Sequence, residues 1–324
     1  MALIERSTRR VGMFSKIEAV YGTAETTFAA TDAGLFVEPP TILIETDNVE
    51  RKLATPWHGN SDSIPTVSRG KLNFKVELAG SGAAGTPPIW GKYLLGCGMA
   101  ETISAGNRVE YTFLNDNYPG LTHRFFADGI RYLARGSRGN AKLDMPAFGI
   151  ATGEFDYQGF DTQRLANAIP AIDLSGFLFP EALTDANAGA LRLGSTLTAG
   201  VISGGTILNS MGISIDFGNE LMHKKILNGG ERIHLSKRSV TAKIRVELDA
   251  ATEVQWAIDI KAGTVSTLSF NYGSAAGKKV AVHFPRAQRE MMQRVDEDGN
   301  MMFDVDIKAL PTLAGLPELI VISS

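Results

Sequence analysis

The run "KLNFKVEL" (Lys71 to Leu78) restricts the fold more than any other stretch of this chain. Leu72, Phe74, Val76 and Leu78 alternate strictly with Lys71, Asn73, Lys75 and Glu77. A period of two with one polar face marks a strand in an antiparallel sheet that covers a core on one side and meets water on the other. Similar short runs recur at "TILIET", "RVEYTF", "HRFFADG", "AKLDMP", "GEFDYQGF", "GISIDF", "TAKIRVEL", "TLSFNYG", "KVAVHFP" and "MMFDVDI". Helical patterns are sparse. One is predicted over Pro87 to Gly96, with Thr86 as its cap and prolines in its first turn, and another over Thr252 to Ala262. Many short strands with few helices predict a mainly β chain of sandwich or barrel type.

The second half of the sequence repeats the order of the first. Ile42 to Leu78 lies against Ile213 to Leu248 with a single-residue gap. In each, a short strand leads to a charged stretch opened by Asn48 or Asn219, then a polar loop, then a strand ending Lys75-Val-Glu-Leu or Arg245-Val-Glu-Leu. Phe74 and Val76 answer Ile244 and Val246, and a helix bearing Trp90 or Trp256 follows. Arg138 to Pro146 resembles Ala276 to Pro285, and Gly153 to Phe160 resembles Met302 to Ala309. The expectation is two tandem β-sandwich domains, each with a flanking α-helix, over residues 1–170 and 171–324. The join falls near Asn167 to Leu208, poor in charge and rich in Ala, Gly, Thr and Pro.

The chain of 324 residues carries a formal charge of −3 and one cysteine. That balance does not suit a protein that coats nucleic acid, and a lone Cys97 in "YLLGCGM" reads as a small buried hydrophobe rather than a disulfide or zinc ligand. The opening "MALIERSTRRVGMF" lacks the apolar segment of a signal peptide, and no apolar run is long enough for a membrane span, so synthesis in a cytoplasm is expected.

Gly80-x-Gly82-x-x-Gly85 matches the dinucleotide fingerprint letter for letter, but its context does not. The preceding strand is polar on one face, whereas a first Rossmann strand is buried on both. Thr86-Pro87-Pro88 removes two backbone N–H donors from the place where a pyrophosphate would sit. Thr86-Pro87 also replaces the Lys-Ser/Thr of a P-loop. His58, His123, His223, His234 and His283 show no metal-binding spacing. "VDEDGNMMFD" has its glycine at the wrong place for a calcium loop and reads as a hairpin turn. Asp304 and Asp306 share one strand face and read as a solvated edge. No catalytic constellation, cofactor or metal site is expected.

Two segments carry a resemblance. Ser68 to Met99 combines an amphipathic strand, a small-residue linker and a tryptophan-bearing helix ending Leu-Gly-Cys-Gly. Phe125 to Phe160 combines an Asp-Gly turn, an Arg-Gly-rich corner and a strand ending in an aromatic-glycine pair. Together these resemble the tail tube (major tail) proteins of long-tailed, non-contractile bacteriophages, and Gly218 to Ser324 resembles the second domain of longer members. The resemblance implies a structural virion protein, not an enzyme, made in the host cytoplasm and assembled into the phage tail. Six domains form a ring in that family, so a two-domain chain implies trimeric rings of pseudo-sixfold symmetry. Stacked rings would form the hollow conduit for DNA ejection. The implied partners are further copies of itself, the tape measure, tail terminator and distal tail proteins, and DNA in transit without specific binding.

Two long charged segments, Asp47 to Val67 and Gly218 to Ser236, are the candidate contacts between stacked rings. Their charged residues are Asp47, Glu50, Arg51, Lys52, Glu220, Lys224, Lys225 and Arg232, and their apolar anchors include Trp57 and Ile226. Other readings are a tail-tip ring, a secretion-system tube, or a carbohydrate-binding or hydrolytic β-sandwich, which would need a groove of exposed aromatics and paired carboxylates.

Overall fold

The computed structural model describes residues 6–324 apart from 55, 185, 188, 189, 313, 314 and 316, with the side chains at 161 and 162 also outside the description. Every run read above as a strand overlaps one. The first half contains β1 (Val11–Ile17), β2 (Thr41–Glu50), β3 (Ser63–Glu77), helix α1 (Gly91–Gly96), β4 (Met99–Ser104), β5 (Arg108–Phe113), β6 (Leu121–Ala127), β7 (Ile130–Pro146) and β8 (Thr152–Ala166). Four short strands follow: β9 (Leu191–Leu193), β10 (Thr196–Thr198), β11 (Val201–Ser203) and β12 (Thr206–Leu208). The remainder holds β13 (Ser210–Asp216), β14 (Glu220–Ile226), β15 (Gly230–Lys237), β16 (Thr241–Val246), helix α2 (Ala250–Ala262), β17 (Val265–Tyr272), β18 (Val280–Glu297), β19 (Asn300–Ala309) and β20 (Ile320–Ser323).

The protein is mainly β, and most strands join one 16-stranded sheet. Within it the order β1-β6-β7-β8-β3-β2 is matched by β9-β17-β18-β19-β16-β13. Each half thus lays its strands down in the same spatial sequence. The sets meet where β13 pairs antiparallel with the far end of β7, Gly212 opposite Pro146 and Asp216 opposite Lys142. One hydrophobic core runs through both halves, from Phe74, Phe155 and Tyr157 to Ile244, Phe284 and Val305. Phe74 stacks on Phe155 at 5.5 Å and on Tyr157 at 5.8 Å between ring centres.

Pairing also fixes the correspondence between halves. Phe74 lies opposite Phe155, and Ile244 opposite Val305. With Phe74 matched to Ile244, Ile42 corresponds to Ile215 rather than Ile213, and Gly153 to Phe303 rather than Met302. The partner of Arg138 to Pro146 is the distal part of β18, not Ala276 to Pro285. Ala141 sits opposite Phe155 just as Met292 sits opposite Val305. Every second residue of a strand looks alike to a pattern comparison, so hydrogen-bond register is what resolves such slips.

Local chemistry sets the helices. Asp249 caps α2 by accepting from the Thr252 amide at 2.7 Å, and Gly263 ends it in the left-handed region with φ of 65°. The first helix is shorter than predicted: a turn closed by the Gly91 amide on the Pro88 carbonyl precedes it, and Trp90 stands at its N-cap rather than inside it. The Asp298-Gly299 turn has φ of 51° and 87° and closes the β18–β19 hairpin with two residues, as its letters imply.

Candidate assembly surfaces

The glycine cluster serves a close approach of two backbones. The Gly82 amide donates to the Gly277 carbonyl at 2.8 Å, and a Cβ on Gly80 would collide with that same carbonyl. The β3–α1 corner of one half therefore rests directly on the β17–β18 loop of the other. Cys97 is buried against the Tyr157 hydroxyl, and burial raises its pKa. Among the described residues there is no grouping of metal-ligating side chains, and no helix is long and apolar enough to cross a membrane.

One face of the sheet covers the core; the other is polar and continuous across both halves. In-register pairing places Glu154, Asp156, Asp144 and Asp216 on that polar face with Lys71, Lys75 and Lys142, and continues it through Lys243, Arg245, Asp304, Asp306 and Lys308. Asp304 and Asp306 are thus not a solvated edge. They sit on β19 between β16 and β18, where Arg245 Nε donates to Asp304 Oδ1 at 2.7 Å and Lys243 lies 3.4 Å from Asp306. Hydrogen bonds from Arg245 hold the Asp304 carboxyl below its usual range and raise the guanidinium itself. Lys71 and Arg69 both donate to Glu45, at 2.8 and 3.0 Å, and lower its pKa. Arg69, Lys71, Lys243 and Arg245 are thus engaged by carboxylates on this face.

The contact between halves goes beyond strand pairing. The segment Gly218 to Ser236, read from sequence as a loop, is mostly the ordered hairpin β14–β15, which lies across β7 and β8. Its Ile233 and Leu235 are buried. The Tyr21 hydroxyl accepts from the Ile233 amide at 2.8 Å. Arg138, stacked 4.0 Å from the Tyr21 ring centre, donates to the Ile233 carbonyl at 2.8 Å. Beneath them Glu18 is buried but fully hydrogen-bonded, accepting from Thr122 Oγ1 and from the Gly22 and Gly136 amides at 2.6–2.9 Å. Asn219 adds donations to the Cys97 and Gly139 carbonyls.

Besides β1, β4 and β12, which also pair on one side only, two longer stretches of the sheet leave an edge open among the described residues. β2 pairs with β3 on one side only, and Arg289 to Glu297 of β18 pairs with β19 on one side only. These are the counterparts of the two edges that meet inside the chain. Thr41, Ile42 and Leu43 hold the positions of Ser214, Ile215 and Asp216, while Gln293, Arg294 and Val295 hold those of Lys142, Leu143 and Asp144. Nothing in the sequence marks these strands as edges; their alternation is that of any strand.

The residues proposed from sequence for ring-to-ring contact sit on two separate hairpins at one end of the molecule. Asp47 and Glu50 close β2, Arg51, Lys52 and Trp57 lie in the connection before β3, Glu220 to Ile226 form β14, and Arg232 lies on β15. Most are exposed. Asp47 is paired with Arg69 at 2.9 Å, Arg51 with Asp62 at 3.3 Å, and Glu220 with Lys237 at 3.6 Å. The residues missed were Tyr21 and Arg138, which hold the second hairpin down.

A family model described as phage tail tube protein matches residues 8–309 of the sequence. No curated protein matches it at a significant level. The matched span takes in both strand sets, the seam between them and both open edges, and the chain belongs to the phage tail tube protein family, structural proteins of the virion tail.

Proposed function

We propose that the chain is the repeating unit of a non-contractile tail tube, and that copies close into a ring by adding β2 of one chain to the open edge of β18 in the next. The observation carrying this reading is the seam at β13 and β7: the molecule already contains one such junction, and leaves the two complementary edges free. Leaving both edges open would be an aggregation hazard, whereas closure removes them. The two halves, residues 1–170 and 171–324, act as two copies of one building block, so three chains make a pseudo-sixfold ring.

Size favours three chains. Each chain offers eight strands to the barrel wall, namely β2, β3, β8, β7, β13, β16, β19 and β18. At about 4.8 Å between strands and a tilt of about 40°, a 24-strand barrel has a backbone diameter of about 48 Å, and a 16-strand barrel about 32 Å. After inward side chains of about 6 Å on each wall, roughly 36 Å or roughly 20 Å of lumen remains. The wider channel passes a hydrated DNA duplex; the narrower one grips it. The polar face lines this channel, with Lys71, Lys243 and Arg245 engaged by carboxylates. Free cations would release counterions from passing phosphates and hold the DNA, and a mostly neutralised wall avoids that. The ends of the tube meet the tape measure, terminator and distal tail proteins.

The register between chains is specific: Leu43 opposite Gln293 and Thr41 opposite Val295. Leu43→Cys with Gln293→Cys should give a covalent trimer on oxidation. The in-chain counterpart, Lys142→Cys with Asp216→Cys, should close within one chain and serves as the geometric control. Closure of the control without any cross-link between chains would overturn the proposed junction.

A further inference from the structure

Strand direction separates the two ends of the molecule. β3 runs from the connection containing Trp57 to Glu77, 15 residues or about 50 Å away. At the far end lies an apolar cleft of about 940 Å³. Its walls come from Leu35 and Val37, from Ala79 and Trp90 beside the glycine cluster, and from Leu174 and Leu178 of the segment joining the halves. Phe179, 96 % exposed, stands at its mouth. This volume suits a bulky aromatic together with an aliphatic neighbour.

The opposite end supplies such a pair. Trp57 is 76 % exposed and Leu53 is 50 % exposed on the connection between β2 and β3. Large apolar side chains presented this way at one end, with an apolar cleft at the other, form a heterologous pair of surfaces. A contact of that kind does not close on itself and builds filaments. Charge matches as well. Lys52 precedes Leu53, while Glu77 lines the cleft and Glu38 directly follows Val37, another lining residue. Among the described residues neither Glu38 nor Glu77 is ion-paired, and Glu181 nearby is already matched by Lys278 at 3.0 Å.

We propose that this cleft is the socket for the Leu53 and Trp57 side chains of a second copy of the chain in the adjacent ring. The proposal rests on the tube reading above and names the receiving surface that the hairpin requires. The glycine cluster then has a second consequence: by letting the β3–α1 corner sit low against Gly277, it leaves room for the socket floor.

The sequence holds three tryptophans, and the other two, Trp90 and Trp256, are each 4 % exposed. Trp57 is thus the dominant red-shifted, quencher-accessible fluorophore of the free chain. Assembly should shift emission to the blue and protect it from acrylamide. Trp57→Ala and, separately, Leu178→Asp in the socket should each abolish that change and stop tube growth, while the Leu43→Cys/Gln293→Cys ring cross-link forms as before. Because Leu178 is partly exposed, its replacement leaves the core intact. Mixing cross-linked rings of the two variants should join them in pairs only, since each retains one working surface.

Tubes of normal length from Trp57→Ala would overturn the proposal, as expected if a small apolar molecule or the Ile226–Leu227 turn fills the cleft. Full protection of Trp57 in the Leu178→Asp protein would overturn it too. Loss of the ring cross-link in the parent protein would instead count against the tube reading itself.

Discussion

At the level of single residues, burial of polar groups decides most outcomes. His123 is buried, joined to Ser15 at 2.8 Å, packed against Tyr157 and facing Lys92; burial first, then that lysine, push its pKa down to about 3. His283 is bonded to Ser269 at 2.7 Å, and burial lowers it to about 4. Both imidazoles are neutral in the folded chain and take up a proton on unfolding once the pH drops below about 6.5. The unfolded state then binds more protons, so their contribution is complete above pH 6.5 and is lost as the pH falls toward 4. Each can cost up to about 1.4 kcal/mol per pH unit in that window. Urea midpoints of the unassembled chain should therefore fall between pH 7 and pH 5, before the lowered carboxylates such as Asp304 are protonated. A flat profile over that range would contradict the burial. Tyr21→Phe tests the other polar site. Removing the hydroxyl strands the buried Ile233 amide on β15 and should cost about 1–3 kcal/mol, read as faster hydrogen exchange at that amide relative to the amides of β16 and β19.

Among elements, alternation in the sequence was enough to find the strands that cover the core, because Leu72, Phe74 and Val76 cannot be buried together in any other way. It did not find β14 and β15. "ELMHKKI" shows too little contrast between its faces, since its partner surface is the polar site of Tyr21 and Arg138 rather than an apolar core. The fingerprint glycines were legible as non-nucleotide from their prolines, yet their contact with Gly277 depends on a loop nearly 200 residues away and leaves no local trace. That contact predicts a contrast. Gly80→Val should destabilise the chain by about 2–3 kcal/mol because backbone lies where the side chain must go, whereas Gly59→Ala, with open space around it, should be close to neutral. Asp249→Ala should cost about 1 kcal/mol through loss of the α2 cap. Thermal denaturation of the three variants checks all of these together.

On the scale of the whole molecule, two sets of strands in the same order share one core and meet at one seam. The sequence signalled the repeat through its two Val-Glu-Leu strand ends, but slipped in register elsewhere, and it could not tell a paired edge from an open one. Open edges depend on which strands are missing from a sheet, and that is settled only when the whole sheet is assembled. The assembly account follows from this: β2 and distal β18 of neighbouring chains repeat the β13–β7 junction, three chains close the ring, and the paired charges of the polar face line the channel. Electron microscopy of the purified chain, concentrated at neutral pH, tests this most directly. The account predicts hollow tubes of stacked rings with six lobes around an open lumen of roughly 36 Å. A chain that stays monomeric, or forms filaments with no central channel, would contradict it.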